Sequence, residues 1–189
     1  MAEGLLRHRL DDAGAAVEVR SAGILPGGVA ASAPGVEVLA GRGIDLSAHV
    51  SRTMASDEIA AADLVIGMER RHVQDAIVRV PAAEAWSFTL RDLVRRAEAA
   101  SPRAGGERLR TWAARLAAGR PRAALLGVGD DGVADPIGQP RAAYERTAAE
   151  LDDLLARLVA RAWPPTDVFA VESVAPATDR TAKTRREAS

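Results

Sequence analysis

Apolar and polar residues follow two different periods along this chain, and the period changes several times before residue 163. Short stretches suited to strands cover 17–20, 64–66 and 85–88. The first alternates apolar and polar positions, and the second is a continuous apolar run typical of a buried parallel strand. Stretches with apolar residues three and four positions apart favour helices between and after them. These predicted helices cover 1–12, 34–40, a short stretch from 56, 69–78, 89–99, 108–118 and 140–163.

This succession of strands and helices predicts an α/β fold with a parallel sheet. We interpret 1–163 as one domain, with an insertion or lid at about 97–132 that is rich in glycine, proline and arginine. The polar residues 164–189 end in a basic stretch and are predicted to form a disordered tail. Thr89, followed by Asp92, resembles a capping box at a helix start.

The charges are mixed along the chain and nearly cancel, giving a net charge of -1. This balance predicts neither nucleic-acid nor membrane binding, and no apolar run reaches the roughly 20 residues that span a bilayer. No signal-peptide pattern is present, so we expect a cytoplasmic protein. The arginines of the later helices are interpreted as solvated surface, and Trp86 and Trp112 as packing residues. These arginines are Arg91, Arg95, Arg96, Arg108, Arg110 and Arg115.

Metal and thiol chemistry find little support in the residues present. The sequence has three histidines, none spaced one helical turn from another, so no metal site is predicted. It has no cysteine, which excludes thiolate metal sites and thiol catalysis by these 189 residues. Any chemistry therefore has to come from a local site of another kind.

The most informative candidate is Asp135, which precedes Pro136 directly before the helix that opens at Pro140. A carboxylic acid at such a turn can protonate a leaving group. Taken alone, an aspartate before proline is more often a turn former. Its interpretation therefore depends on the rest of the chain.

Four separated segments, 1–6, 21–23, 43–68 and 135–138, together resemble the low-molecular-weight protein tyrosine phosphatases. The resemblance implies a three-layer α/β sandwich with a small parallel sheet, of the phosphotyrosine protein phosphatase I type. It also implies hydrolysis of phosphotyrosine or other aryl phosphate monoesters through a cysteinyl-phosphate intermediate, with neither metal nor cofactor. The expected partners are phosphorylated proteins or small aryl phosphates, and the oligomeric state stays open.

The resemblance assigns roles to five positions. Asp135 matches the general acid, Pro136 stiffens its loop, and Gly138 gives the loop backbone its freedom. Ser21 and His49 match residues that support the phosphate loop. Alone, Ser21 could equally end a strand and His49 could be an ordinary loop histidine. Many family members have an aromatic residue where this chain has Ile137, so a preference for phosphotyrosine stays open.

The family's nucleophile belongs to a Cys-x5-Arg phosphate loop that comes between the first strand and the first helix. By the resemblance, that loop and the central first strand would precede Met1, and we expect a sequence truncated at its N-terminus. The alternative is a non-catalytic, phosphatase-like binding or regulatory module. The arsenate reductase branch of the same fold also needs cysteines, so these residues give it no support.

Overall fold

The described structure contains a small parallel sheet, formed by two of the predicted apolar runs. The computed structural model describes residues 1–121, Leu125 and 131–165. Strand β1, Val65–Gly67, pairs in parallel with strand β2, Ser87–Thr89, with Ile66 opposite Phe88. The predicted α/β class is confirmed. The predicted tail falls outside the described residues from 166 onward.

Helices occupy most of the remaining described chain, close to their predicted positions. A 3-10 turn at Pro81–Ala85 replaces the start of the strand predicted at 85–88. Among the residues that the structure describes, no helix is both long enough and apolar enough to cross a membrane. The helices are α1 Ala2–Asp12, α2 Ala33–Ala40, α3 Ser56–Ala61, α4 Arg70–Arg79, α5 Leu90–Ala99, α6 Leu109–Ala117 and α7 Arg141–Ala162.

The long helix α7 organises the core. It packs against α1, α2 and α5, while α4 packs against both strands. The predicted apolar stripe of α7 faces inward, because residues three and four apart share one helix face. Both tryptophans predicted to pack are buried, Trp112 completely. The buried stripe includes Tyr144, Ala148, Leu151, Leu155, Leu158 and Ala162.

Local capping explains where two helices begin. The hydroxyl of Thr89 accepts a hydrogen bond of 3.3 Å from the backbone N–H of Asp92, as predicted for the start of α5. The carboxylate of Asp92 binds Arg95 and Arg96, instead of accepting a hydrogen bond from the backbone N–H of Thr89 as a capping box requires. A reciprocal capping box forms at α4, where Glu69 and His72 exchange side-chain to backbone bonds. These bonds satisfy N–H groups that a helix start leaves without partners.

The strand predicted at 17–20 is wrong. No sheet partner pairs with this segment in the described structure. The carbonyl of Val19 instead accepts a hydrogen bond from the Arg7 side chain. Alternation of apolar and polar residues predicts extended backbone, but a strand also needs a neighbour to complete its ladder. The segment therefore belongs to no sheet in the described structure.

The interpretation of the later arginines as solvated surface is wrong for Arg96 and Arg110. Arg96 makes two bonds of 2.9 and 3.0 Å to the Asp92 carboxylate. Arg110 lies over the Trp86 ring at 4.2 Å and donates 2.7 Å to the carbonyl of Ala60, near the end of α3. Helix C-termini leave carbonyls without internal partners, and a guanidinium satisfies them well. Arg110 therefore ties α6 to α3, and Arg96 ties α5 to α6 by donating 3.2 Å to the carbonyl of Leu116.

Candidate active site

The loop that carries the predicted acid is anchored where β1 ends. We call Asp131–Gly138 the acid loop. The N–H of Val133 donates 2.8 Å to the carbonyl of Met68, the residue directly after β1. The Val133 side chain is buried, whereas Asp135, two residues later, is exposed. The loop is thus held in place at Val133, while the carboxylate of Asp135 faces solvent.

The conformation of the acid loop orients Asp135. Its Oδ1 accepts a hydrogen bond of 3.0 Å from the N–H of Ile137. The N–H of Gln139 then donates 2.9 Å to the carbonyl of Pro136 and closes a turn. Gly138 has a φ of +74°, a left-handed conformation that glycine adopts without steric cost. Ile137 is 69% exposed beside the acid.

His72 lies near this acid at the start of α4. The N–H of Glu69 donates 3.2 Å to its Nδ1, so in the neutral ring the proton sits on Nε2. Burial lowers the pKa of His72 from its ordinary value, while the carboxylates of Glu69 and Asp135 raise it. His72 is thus electrostatically coupled to the acid. No role for His72 is predicted from the sequence.

Ser21 and His49 come together around a third residue, Glu3. The Ser21 hydroxyl donates to Glu3 Oε2, and His49 Nδ1 lies 3.7 Å from the same oxygen. Arg7 pairs with the other oxygen, Oε1, at 2.6 Å. The Glu3 side chain is only 12% exposed. These residues line a cavity of about 180 Å³, which we call the Glu3 cavity and which Arg20, Val50 and Arg52 complete.

Glu3, the centre of this cluster, is not predicted as a site residue from the sequence. Its position in the first turn of α1 is the signal that could have found it, since an acid is favourable at a helix start. Asp135 does not line the cavity. The structure therefore brings Ser21 and His49 together, and it carries the acid on a separate loop. In the described part of the chain no cluster of three or more metal-ligating side chains occurs.

Residues 1–107 match the family described as low molecular weight phosphotyrosine protein phosphatase. The chain belongs to this family. The matched part includes Glu3, Ser21 and His49, whereas Asp135 lies beyond it. No curated protein sequence matches the chain.

The similarity to solved structures extends beyond residue 107, because they cover more than four fifths of this chain. A low molecular weight protein tyrosine phosphatase from T. tengcongensis is 28% identical with a TM-score of 0.62, covering 84% of this chain and 86% of its own. A YwlE mutant from Bacillus subtilis is 27% identical with a TM-score of 0.61, covering 83% and 84%. The YwlE arginine phosphatase from Geobacillus stearothermophilus is 26% identical with a TM-score of 0.59, covering 83% and 79%. The fold is that of the low molecular weight phosphatases.

Proposed function

We propose that this chain supplies the general acid and the supporting scaffold of a phosphatase that cleaves phosphate monoesters. The observation that carries the proposal is the acid loop, which presents an exposed, oriented Asp135 at the end of β1. A positioned acid that protonates the leaving oxygen contributes a rate factor of about 10² to 10⁴. In this proposal Ser21 and His49, which meet at Glu3, support the family's phosphate loop.

In the family's reaction a thiolate attacks phosphorus, and the bond from phosphorus to the leaving oxygen breaks. Asp135 gives its proton to that oxygen, and its carboxylate then accepts a proton from the water that hydrolyses the cysteinyl phosphate. The 189 residues contain no cysteine. The nucleophile therefore has to come from outside them, and by themselves they are proposed to be inactive.

A fusion tests this proposal. The chain alone should not hydrolyse p-nitrophenyl phosphate, whereas the same chain preceded by a family strand and Cys-x5-Arg loop should. In the fusion, Asp135→Asn should reduce turnover at least about 100-fold. Asp153→Asn removes a carboxylate that is 67% exposed on α7 and serves as the matched control. Turnover by the chain alone, or a fully active Asp135→Asn fusion, would contradict the proposal.

The substrate class is a finer part of the proposal. Phosphotyrosine follows from the family, and phosphoarginine from the neighbouring structures named as arginine phosphatases. The aliphatic, exposed Ile137 offers no aromatic ring to stack on a phenyl group. We therefore expect the fusion to cleave a phosphoarginine peptide at least as well as a phosphotyrosine peptide. An Ile137→Phe variant should shift that ratio toward phosphotyrosine.

A non-catalytic binding module is the second candidate, and the arginines of the Glu3 cavity favour it. Arg7, Arg20 and Arg52 line the cavity, although each also pairs with a glutamate. Guanidinium groups suit a phosphate ester because they present forked donors. Calorimetry with phenylphosphonate, which cannot be hydrolysed, tests this candidate. Binding by the chain alone that Arg52→Ala abolishes would support it.

The remaining proposals follow from the same assignment. We propose one phosphatase-like domain over 1–163 with an insertion at about 97–132, located in the cytoplasm. Fractionation of the source cells and limited proteolysis of the purified chain would test the location and the domain boundaries.

A further inference from the structure

An ionic network reaches from the buried side of β2 to the start of the acid loop. Its deepest member is Arg120, whose side chain is only 3% exposed. Arg120 lies over the Phe88 ring at 4.6 Å and donates 2.9 Å to the carbonyl of Ser87. Burial lowers the pKa of Arg120, and Asp92, 3.9 Å away, raises it. We call Arg70, Asp92, Arg95, Arg96, Arg120 and Asp131 the ionic network.

Asp92 connects the buried part of this network to its outer part. Its carboxylate binds Arg96 on α5 and also accepts from Arg95, three residues along the same helix. Arg95 in turn lies 3.5 Å from Asp131. The chain of charges therefore runs from β2 through α5 to the first residue of the acid loop.

Asp131 receives a second arginine from α4. Arg70 donates to its other oxygen, Oδ2, at 2.5 Å, and both side chains are largely buried. Two cations from two helices thus converge on one carboxylate. Replacing that carboxylate with a neutral amide would remove the negative charge that both arginines contact at the start of the acid loop.

The position of Asp135 depends on contacts made earlier in the acid loop. Asp135 is exposed, and its hydrogen bond to the Ile137 N–H lies within the loop itself. The contacts that join the loop to the rest of the fold include Asp131 with its two arginines, Val133 with Met68, and Ala134 with Thr147. Of these three contacts, the one made by Asp131 is an ion pair.

We propose that Asp131 is a positioning residue for Asp135, holding the acid loop against α4 and α5 through Arg70 and Arg95. The inference rests on the proposed role of Asp135 as the acid. Its test reads the position of the loop, not turnover. If the fusion fails to hydrolyse substrate, the role of Asp131 in holding the loop is not contradicted. If Asp131 proves not to hold the loop, the result of the hydrolysis assay still applies.

Amide hydrogen exchange measures how firmly the loop is held. In the 189-residue chain, Asp131→Asn should speed exchange at Val133 and Ile137 about tenfold. Exchange at Leu155 in the core should stay unchanged. Asp153→Asn, which removes an exposed carboxylate paired with Arg157, is the matched control and should change neither.

The pKa of His72 provides a readout that a purely structural role would not move. Burial and Arg71 lower this pKa, while Glu69, Asp135 and Asp75 raise it. In proton NMR, Asp135→Asn should lower the pKa of His72, and Asp131→Asn should lower it in the same direction. In the Asp135→Asn background, Asp131→Asn should add nothing further, because the acid's charge is already gone.

Unchanged exchange at Val133 together with an unchanged pKa of His72 in Asp131→Asn would overturn the proposal. If that variant does not fold, Arg95→Gln decides, since the Arg95 side chain is 63% exposed and tolerates change. Faster exchange at Val133 with normal exchange at Leu155 then supports the proposal. Exchange at Val133 equal to that of the parent chain refutes it.

Discussion

The acid loop and the Glu3 cavity are both organised by carboxylates, yet their surroundings differ. The ionic network behind the acid loop includes an arginine that is almost fully buried, whereas Arg7, Arg20 and Arg52 at the Glu3 cavity are about half exposed. Buried charges must keep their partners, because desolvation makes an unpaired charge costly. Exposed pairs contribute little and can exchange partners. One region is therefore fixed by its ion pairs, and the other can rearrange.

The largest expected effect comes from removing the buried arginine. Arg120→Ala should reduce the free energy of unfolding by about 2 to 4 kcal/mol, because Asp92 loses a buried partner and the Ser87 carbonyl loses a donor. Urea unfolding measures this loss. Arg20→Ala at the Glu3 cavity, with a side chain that is 57% exposed, should have a far smaller effect. Equal losses in the two variants would remove the contrast between the regions.

Gly138→Ala should cost about 1 kcal/mol, since its positive φ strains any residue with a Cβ. No atom lies within 4 Å of an added Cβ, so the effect isolates the backbone conformation. Gly105→Ala meets equally open space without a positive φ and serves as the control. A harmless Gly138→Ala would show that the end of the acid loop can adopt another conformation.

Glu3→Gln should reduce the free energy of unfolding by about 0.5 to 1 kcal/mol, because an ion pair with Arg7 and a charge-assisted bond from Ser21 become neutral. Thermal or urea unfolding would detect it. Glu37→Gln removes a carboxylate of an exposed pair with Arg141 and provides a baseline for charge loss. A loss as large as that of Arg120→Ala would mean that the Glu3 cavity is as rigidly held as the ionic network.

The smallest effect concerns pH. Burial holds the pKa of His72 below its ordinary value of 6.5, so the unfolded chain binds a proton more readily than the folded one. This contribution to stability is complete above pH 6.5 and is lost as the pH falls toward the lowered pKa of the folded state. His72→Asn should therefore flatten the fall in unfolding free energy as the pH drops below 6.5. Identical pH profiles for the two proteins would contradict this expectation.

Much of the fold could be predicted because its signals are local. The stripe of α7, the cap at Thr89 and the apolar run of β1 each depend on residues within a few positions of one another. The strand predicted at 17–20 failed because pairing depends on a distant partner that alternation does not reveal. Periodicity therefore predicts where a strand could form, and it does not predict which segments pair.

The candidate site divides in the same way. Asp135, Ser21 and His49 could be predicted through the family resemblance. Glu3 contacts Ser21 and His49, which are 18 and 46 positions away in sequence, and no local pattern predicts these contacts. Arg120 follows the same rule, because its partner Asp92 lies 28 positions earlier in the sequence. A charged side chain on a helix is predicted from sequence to be solvated, and only the tertiary fold shows whether it is buried.

The bond from the Ile137 N–H to Asp135 makes the two carboxylate oxygens chemically different. Oδ1 is occupied as an acceptor, so the neutral acid carries its proton on Oδ2. In the proposed reaction a leaving oxygen would then approach from the Oδ2 side, which gives the acid loop a direction as well as a location. If Asp135 is the proton donor proposed above, the backbone of a single turn thereby selects the face from which a substrate receives its proton.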